Sequence, residues 1–262
     1  QVNRHLWCDL YTTLANGGSS QSSTRAIGFT SRSYTFGSLK INLYRANPMT
    51  YEERLEEYIL QHTTPESPLR KRLWREAHVR LLRARMLSGH LQGNFLQMLC
   101  RLKGAKCILE LGTYTGYAAH CLAEALGEGG EVHTIESDDE MEDFIRSFID
   151  EAPYKERIHL HLGDALTLLP SLLQRYSFDL VYIDANKREY LEYYELILPH
   201  LPSGALILAD NTLWDGKVVE EPTPTDAQTQ SILRFNDYVQ HDPRVENLIL
   251  PLRDGLSLIY KL

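Results

Sequence analysis

The sequence predicts an α/β fold, a doubly wound and mostly parallel sheet extended by a C-terminal antiparallel hairpin. Three observations carry this. From residue 106 onward, five short apolar runs alternate with helical segments, the order that gives a parallel sheet covered on both faces. The runs end on Gly, Glu and Asp, as expected where such a sheet opens to ligand. The last two apolar runs are separated only by "RDG", which reads as a hairpin at the sheet edge.

Before the alternation stand three helical segments. "TYEERLEEYILQHT" has Thr50 as N-cap and Glu53 three residues on, a capping box, with apolar Leu55, Tyr58 and Ile59. "SPLRKRLWREAHVRLLRARM" predicts a strongly basic helix reaching Met86. "GHLQGNFLQMLCRL" places Leu91, Phe95, Leu96, Leu99 and Leu102 on one side. The strand and helix pairs come next: "KCILELG" with "GYAAHCLAEAL", "EVHTIES" with "DEMEDFIRSFIDEA", "IHLHLGD" with "ALTLLPSLLQRY", "FDLVYIDA" with "REYLEYYELILPHL", then "GALILADN". The helix "DAQTQSILRFNDYVQ" leads into the hairpin "VENLILPL" and "LSLIYKL".

Residues 1–48 read differently. They hold the Gly/Ser/Thr stretch "ANGGSSQSSTRA", five basic residues and one acid, and no sustained period of 2 or 3.6. The chain does not begin with Met, and Met49 stands just before the first regular helix. The expected organisation is a dispensable extension over 1–48, a tag or upstream read-through, and one domain over 49–262 with N-terminal helices over about 50–103. The net charge of −8 leaves −12 on that domain, which disfavours indiscriminate nucleic-acid binding. No apolar run reaches the roughly 18 residues of a membrane span, and the N-terminus lacks a signal-peptide core. Cys8, Cys100, Cys107 and Cys121 contain no CxxC pair. Their spacing suits neither a zinc motif nor a disulfide framework, so reduced cysteines in a cytoplasmic protein are expected.

The first strand ends in "LELGTYTGY". Gly112 permits a tight turn, Gly116 a close helix start, and the free N–H groups there suit an anionic part of a ligand. The second strand ends on Glu136, placed to accept both ribose hydroxyls of an adenosine. The pattern is E-x-G-x-x-x-G with Tyr114 at its centre, not the G-x-G-x-x-G of dinucleotide sites. That favours S-adenosylmethionine, which has no phosphate, over a nicotinamide cofactor. Asp164, ending the third strand, reads as a contact to the adenine amino group, as a helix N-cap, or as both.

The fourth strand ends on Asp184 and the fifth on Asp210 and Asn211. Three oxygen ligands at one sheet edge suit a hard cation such as Mg²⁺; the alternative is that both acids merely cap the segments after them. Lys187, three residues past Asp184, reads as a general base beside that cation or as a surface lysine. Trp214 reads as a wall of an acceptor pocket or as a packing tryptophan.

With these residues in place, "RMLSGHLQG", "ILELGTYTGYAA", "YIDANK" and "LADNTLWDGKVV" resemble the cation-dependent O-methyltransferases of the catechol and caffeoyl-CoA type and their bacterial relatives, from about Arg75 to Leu262. The resemblance implies a Rossmann-like seven-stranded class I methyltransferase fold, S-adenosylmethionine, a divalent cation (Mg²⁺, or Mn²⁺ or Ca²⁺) and a homodimer. It implies Asp184, Asp210 and Asn211 as metal ligands and Lys187 as the base. For the cofactor it implies Glu110, Gly112, Thr113, Tyr114, Glu136 and a backbone contact from Ala165, with Met86 and Ser88 on a segment closing over its methionine end. Two positions depart from the family pattern. Ala118 stands where a serine commonly meets the cofactor carboxylate, and Asn186 stands where catechol enzymes place an aromatic residue before the base. The implied substrate is a vicinal aromatic diol. One alternative is a hydroxylated uridine in tRNA, for which Arg70, Lys71, Arg72, Arg75, Arg80, Arg83 and Arg85 offer a phosphate-binding run. The other is a non-catalytic module that only binds a cofactor or partner.

Overall fold

The computed structural model describes residues 34–36, 39–41, 49–221 and 223–262. The chain divides into two compact units, Gln1–His62 and Thr63–Leu262. The division falls fourteen residues beyond the boundary at 48 read from composition. Most of the extension expected over 1–48 lies outside the described residues, as does Cys8.

In the first unit, β1 (Tyr34–Phe36) and β2 (Leu39–Ile41) pair antiparallel. Helix α1 (Tyr51–Gln61) begins with the predicted capping box, Thr50 accepting from the Glu53 N–H while Glu53 accepts from the Thr50 N–H. None of its residues is buried.

The second unit holds a seven-stranded sheet in the order β5-β4-β3-β6-β7-β9-β8. Strands β3 (Cys107–Leu111), β4 (Glu131–Glu136), β5 (Ile158–Leu162), β6 (Leu180–Ile183) and β7 (Leu206–Asp210) run parallel. β8 (Val245–Leu250) and β9 (Leu256–Lys261) form the predicted hairpin, with β9 antiparallel to β7. The middle strand β6 is buried along its whole length, because helices cover both faces. Helices α6 (Ala165–Arg175), α7 (Tyr190–Ile197) and α8 (Ala227–Gln240) enclose one core with Leu109, Val181 and Ile207. On the other face α3 (His90–Lys103), α4 (Tyr117–Ala125) and α5 (Glu142–Ile149) enclose a second with Ile108, Tyr182 and Leu208.

Two helices depart from the reading of the sequence. The basic helix α2 (Pro68–Arg80) stops at Leu81, whose backbone is extended, and Met86 closes a separate short turn. In α3 the buried face is Gln92, Gly93, Leu96, Gln97 and Cys100, whereas Leu91 and Leu102 are exposed. The cause is close approach: a Cβ at Gly93 would lie 2.6 Å from Cys121 Sγ, so α3 turns Gly93, together with Leu96, onto α4 and leaves Leu91 and Leu102 outside. Among the described residues no helix is long and apolar enough to cross a membrane.

Candidate active site at the carboxyl edge of the sheet

Parallel pairing of β6 with β7 matches Ile183 with Ala209, so Asp184 and Asp210 leave adjacent strands side by side. Lys187 is buried and its Nζ donates to Asp184 Oδ1 (2.7 Å) and to the Tyr190 hydroxyl (2.6 Å). That hydroxyl in turn reaches the carbonyls of Ile183 (3.2 Å) and Asp210 (3.0 Å), tying lysine and both strand ends together. Burial pushes the Asp184 carboxyl up and the Asp210 charge adds to it, while Lys187 opposes. Asp210 is held from three directions: Gln92 Nε2 (2.7 Å) and the Tyr182 hydroxyl (2.9 Å) donate to Oδ2, and the Asn211 N–H donates to Oδ1 (2.8 Å). Asn211 has a left-handed backbone (φ 59°), which Asn tolerates better than most residues. Its side chain acts to lower the pKa of the Asp254 carboxyl, which burial pushes up.

Between β3 and α4 the chain turns through Gly112 (φ 92°), Tyr114 (φ 49°) and Gly116 (φ 81°). Tyr114 N–H donates to Glu136 Oε2 (2.6 Å) and Asp138 N–H to Glu136 Oε1 (2.9 Å). Each carboxylate oxygen keeps further acceptor capacity. An open cleft of about 830 Å³ runs along this edge, lined by Met86, Gly112, Tyr114, Glu136, Asp184 and Asn186, with Asp164 and Ala165 at its far wall. Thr113 and Glu110 lie behind the turn: Thr113 meets the Thr134 hydroxyl (2.5 Å), which donates to Glu110 Oε2 (2.5 Å). Glu110 is fully buried, and burial pushes its carboxyl up to about 8.

The other predicted residues are more scattered. Asp164 caps α6, its Oδ1 accepting from the N–H (2.9 Å) and hydroxyl (2.8 Å) of Thr167. Ser88 is buried, with its hydroxyl 3.5 Å from that of Tyr182. Ala118 packs into the core and does not line the cleft. Asn186 caps a short turn and donates to Glu189 (2.7 Å). Trp214 (φ 48°) packs against the core, and its buried Nε1 has no partner among the described residues.

Gln92, Tyr182, Tyr190 and Arg253 belong to this site and escaped the sequence reading. Arg253 Nη1 donates to the carbonyls of Leu87 (2.9 Å) and Ser88 and to Gln92 Oε1 (3.0 Å). It thereby joins the loop after α2 to the glutamine that holds Asp210. Only Tyr190 left a usable signal, a tyrosine three residues after Lys187 and thus on the same side of a starting helix.

The basic run of α2 is partly consumed by packing. Arg70 is buried, paired with Glu124 (2.9 Å) and bonded to Asn94 and Gln97. Arg72 pairs with Glu151 and lies over the Phe148 ring, and Arg80 lies over Phe144.

Comparison with known proteins identifies the family. The profile of the O-methyltransferase family matches residues 61–262. A catechol O-methyltransferase of Niastella koreensis is 37% identical over 174 residues, covering 64% of this chain and 78% of its own. Caffeoyl-CoA O-methyltransferase 1 of Zea mays is 35% identical over 217 residues, covering 78% and 83%. Among solved structures, the O-methyltransferase TomG of Streptomyces achromogenes in complex with SAM superposes with a TM-score of 0.75 at 29% identity, covering 81% of this chain and 99% of that one. The Bacillus cereus O-methyltransferase in complex with SAH gives 0.74 at 29% identity, covering 80% and 97%. A chain with this sheet order, matched by that profile from its second helix region to its last residue, belongs to the O-methyltransferase family.

Proposed function

We propose that the chain is an S-adenosylmethionine- and divalent-cation-dependent O-methyltransferase acting on a vicinal aromatic diol. The observation that carries the reading is the juxtaposition of Asp184, Asp210 and Lys187 on adjacent strand ends, beside a cleft bounded by the Gly112 turn and Glu136. The donor set fits a hard cation. Two carboxylates press on each other there, which is the arrangement a dication relieves. Asp184, Asp210 and Asn211 would hold it. Such a cation supplies Lewis acidity that lowers the pKa of a diol hydroxyl. S-adenosylmethionine would supply a methyl group on a sulfonium; Glu136 would hold its ribose and the backbone of the Gly112 turn would lie beside it.

The rest is the work of this chain. As the neutral amine, Lys187 Nζ would take the hydroxyl proton: its two N–H bonds are directed to Asp184 and Tyr190, which leaves the lone pair for the substrate. Gln92 and Tyr182 hold Asp210 in place, and a cofactor and acceptor bound along the cleft would be kept in fixed alignment. Asn186 lines the cleft on the acceptor side, whereas Trp214, packed on the core, is not among its lining residues. Arg70 is buried, so the α2 run offers less to tRNA than its sequence suggests. A methyl-transfer assay with labelled cofactor tests the reading across catechols, caffeoyl esters and hydroxylated tRNA. Transfer to the diols, abolished by a chelator and restored by Mg²⁺, is expected. Full activity in chelator, or transfer to tRNA alone, overturns it.

A further inference from the structure

At the opposite, amino-terminal edge of the sheet lies a second cluster of metal-binding side chains. Cys107 opens β3, Glu131 and His133 sit on β4, and His159 and His161 on β5. The register pairs Cys107 with Glu131 and His133 with His159, and alternation along a strand puts Glu131 with His133 and His159 with His161. All five side chains therefore share one face. Glu131 stands in the middle: Oε1 is 3.7 Å from Cys107 Sγ, and Oε2 is 3.4 Å from His133 Nε2 and 3.3 Å from His159 Nε2.

His133 is the informative residue. Its side chain is 1% exposed, and Nε2 has no hydrogen-bond partner among the described residues. Its other nitrogen, Nδ1, meets His161 Nε2 at 3.0 Å, and the rings of Tyr176 (4.0 Å) and Phe178 (5.8 Å) hold the imidazole in place. With the proton on Nδ1 and donated to His161, the Nε2 lone pair would face the Glu131 carboxylate, and a cation held by both would satisfy them. An outer hydrogen bond of this kind is what usually fixes the tautomer of a ligating histidine.

We propose that Cys107, Glu131 and His133, with His159 at the rim, form a binding site for a zinc-type dication, separate from the oxygen site at the carboxyl edge. The ligand atoms of the first three lie within 4.8 Å of one another. Zinc bonds of about 2.0–2.3 Å in a tetrahedron need donors roughly 3.3–3.8 Å apart, so the cluster closes by about 1 Å. Thiolate and imidazole select zinc over Mg²⁺, which takes oxygen. Zinc binds the thiolate, so its binding at Cys107 releases a proton. Cysteine spacing along the chain gave no hint of the site, because Cys107 is the one cysteine in it and its partners come from β4 and β5.

The test is a cobalt and zinc titration of the metal-stripped full chain, with excess Mg²⁺ filling any oxygen site. One equivalent of Co²⁺ is expected to give a thiolate charge-transfer band in the near ultraviolet and the visible bands of a tetrahedral ion, both removed by Zn²⁺. Cys107→Ser, nearly isosteric, should lose the ultraviolet band and the zinc-induced rise in melting temperature, with the metal-free melting temperature unchanged. His161→Phe should weaken zinc by about 10–100-fold. A cobalt complex with no thiolate band, a band that survives Cys107→Ser, or zinc affinity equal in the two proteins overturns the proposal.

Discussion

Gly112→Ala is the perturbation that links the two halves of the active site most directly. A Cβ built at Gly112 lies 2.1 Å from the carbonyl oxygen of Asp184 and 2.7 Å from its carbonyl carbon, where ordinary contact begins at 3.4 Å. Both atoms are backbone, so no flexible side chain can move aside. Relief requires the β3 turn and the end of β6 to part by about 1 Å, since core overlap is otherwise intolerable. Two costs add. A left-handed backbone at φ 92° costs an alanine about 1–2 kcal/mol, and overpacking costs about 1–3 kcal/mol. The expected destabilisation is about 2–5 kcal/mol, measured as a lower urea midpoint at unchanged m-value. Most of a typical domain's stability survives that, so the variant can be assayed. Displacing the Asp184 end by about 1 Å misplaces it against its neighbours and should cut methyl-transfer turnover about 100-fold. A variant within about 0.5 kcal/mol of the parent that keeps parental turnover refutes the reasoning, because the turn and the aspartate would then not be in contact.

Lys187→Ala is expected to lower turnover about 10²–10⁴-fold while cofactor affinity by calorimetry barely moves; equal losses in both contradict the base role. Gln92→Leu removes the 2.7 Å bond to Asp210 and should raise the Mg²⁺ concentration for half-activation about 10–100-fold, with the cofactor Kd unchanged. His120 is fully buried, with Nδ1 on Tyr154 (3.1 Å), and burial pushes it down to about 4 from 6.5. The unfolded chain binds this proton below about 6.5 and the folded chain only near 4, so its stability contribution is present above 6.5 and is lost as pH falls to 4. The loss is about 3 kcal/mol, and urea midpoints of His120→Asn should show a pH slope shallower by that amount, leaving the parts of His133 and His161; an unchanged slope excludes His120.

How much of the molecule was legible in its sequence depends on range. Strand and helix periods are local, so the five parallel strands, the hairpin and the capping box of α1 could be read directly. Because a strand's end lies where the sheet opens, Gly112, Glu136, Asp184 and Asp210 were placed at one edge without any contact being known. The contacts that position them were not legible. Gln92 reaches Asp210 across 118 residues, and Arg253 reaches Leu87 across 166; neither leaves a mark on its own segment. Ambiguity survived where one residue type serves two ends, as with Asp164, whose Oδ1 is taken by Thr167.

The same limit explains why the two edges of this sheet read so differently. At the carboxyl edge each strand hands its ligand to the next turn, so an acid is conspicuous beside Gly, Asn or Lys. At the amino edge the ligands sit inside the strands, and Cys107 and His133 look like ordinary filling for β3 and β4. Their chemistry emerges only when strand order and register are known. The pairings Cys107 with Glu131 and His133 with His159 convert three unremarkable segments into one ligand set. Donor chemistry at each edge thus favours an oxygen-loving cation at one end and a thiolate-binding one at the other. Exchange experiments can separate them, since Mg²⁺ does not compete for a thiolate site.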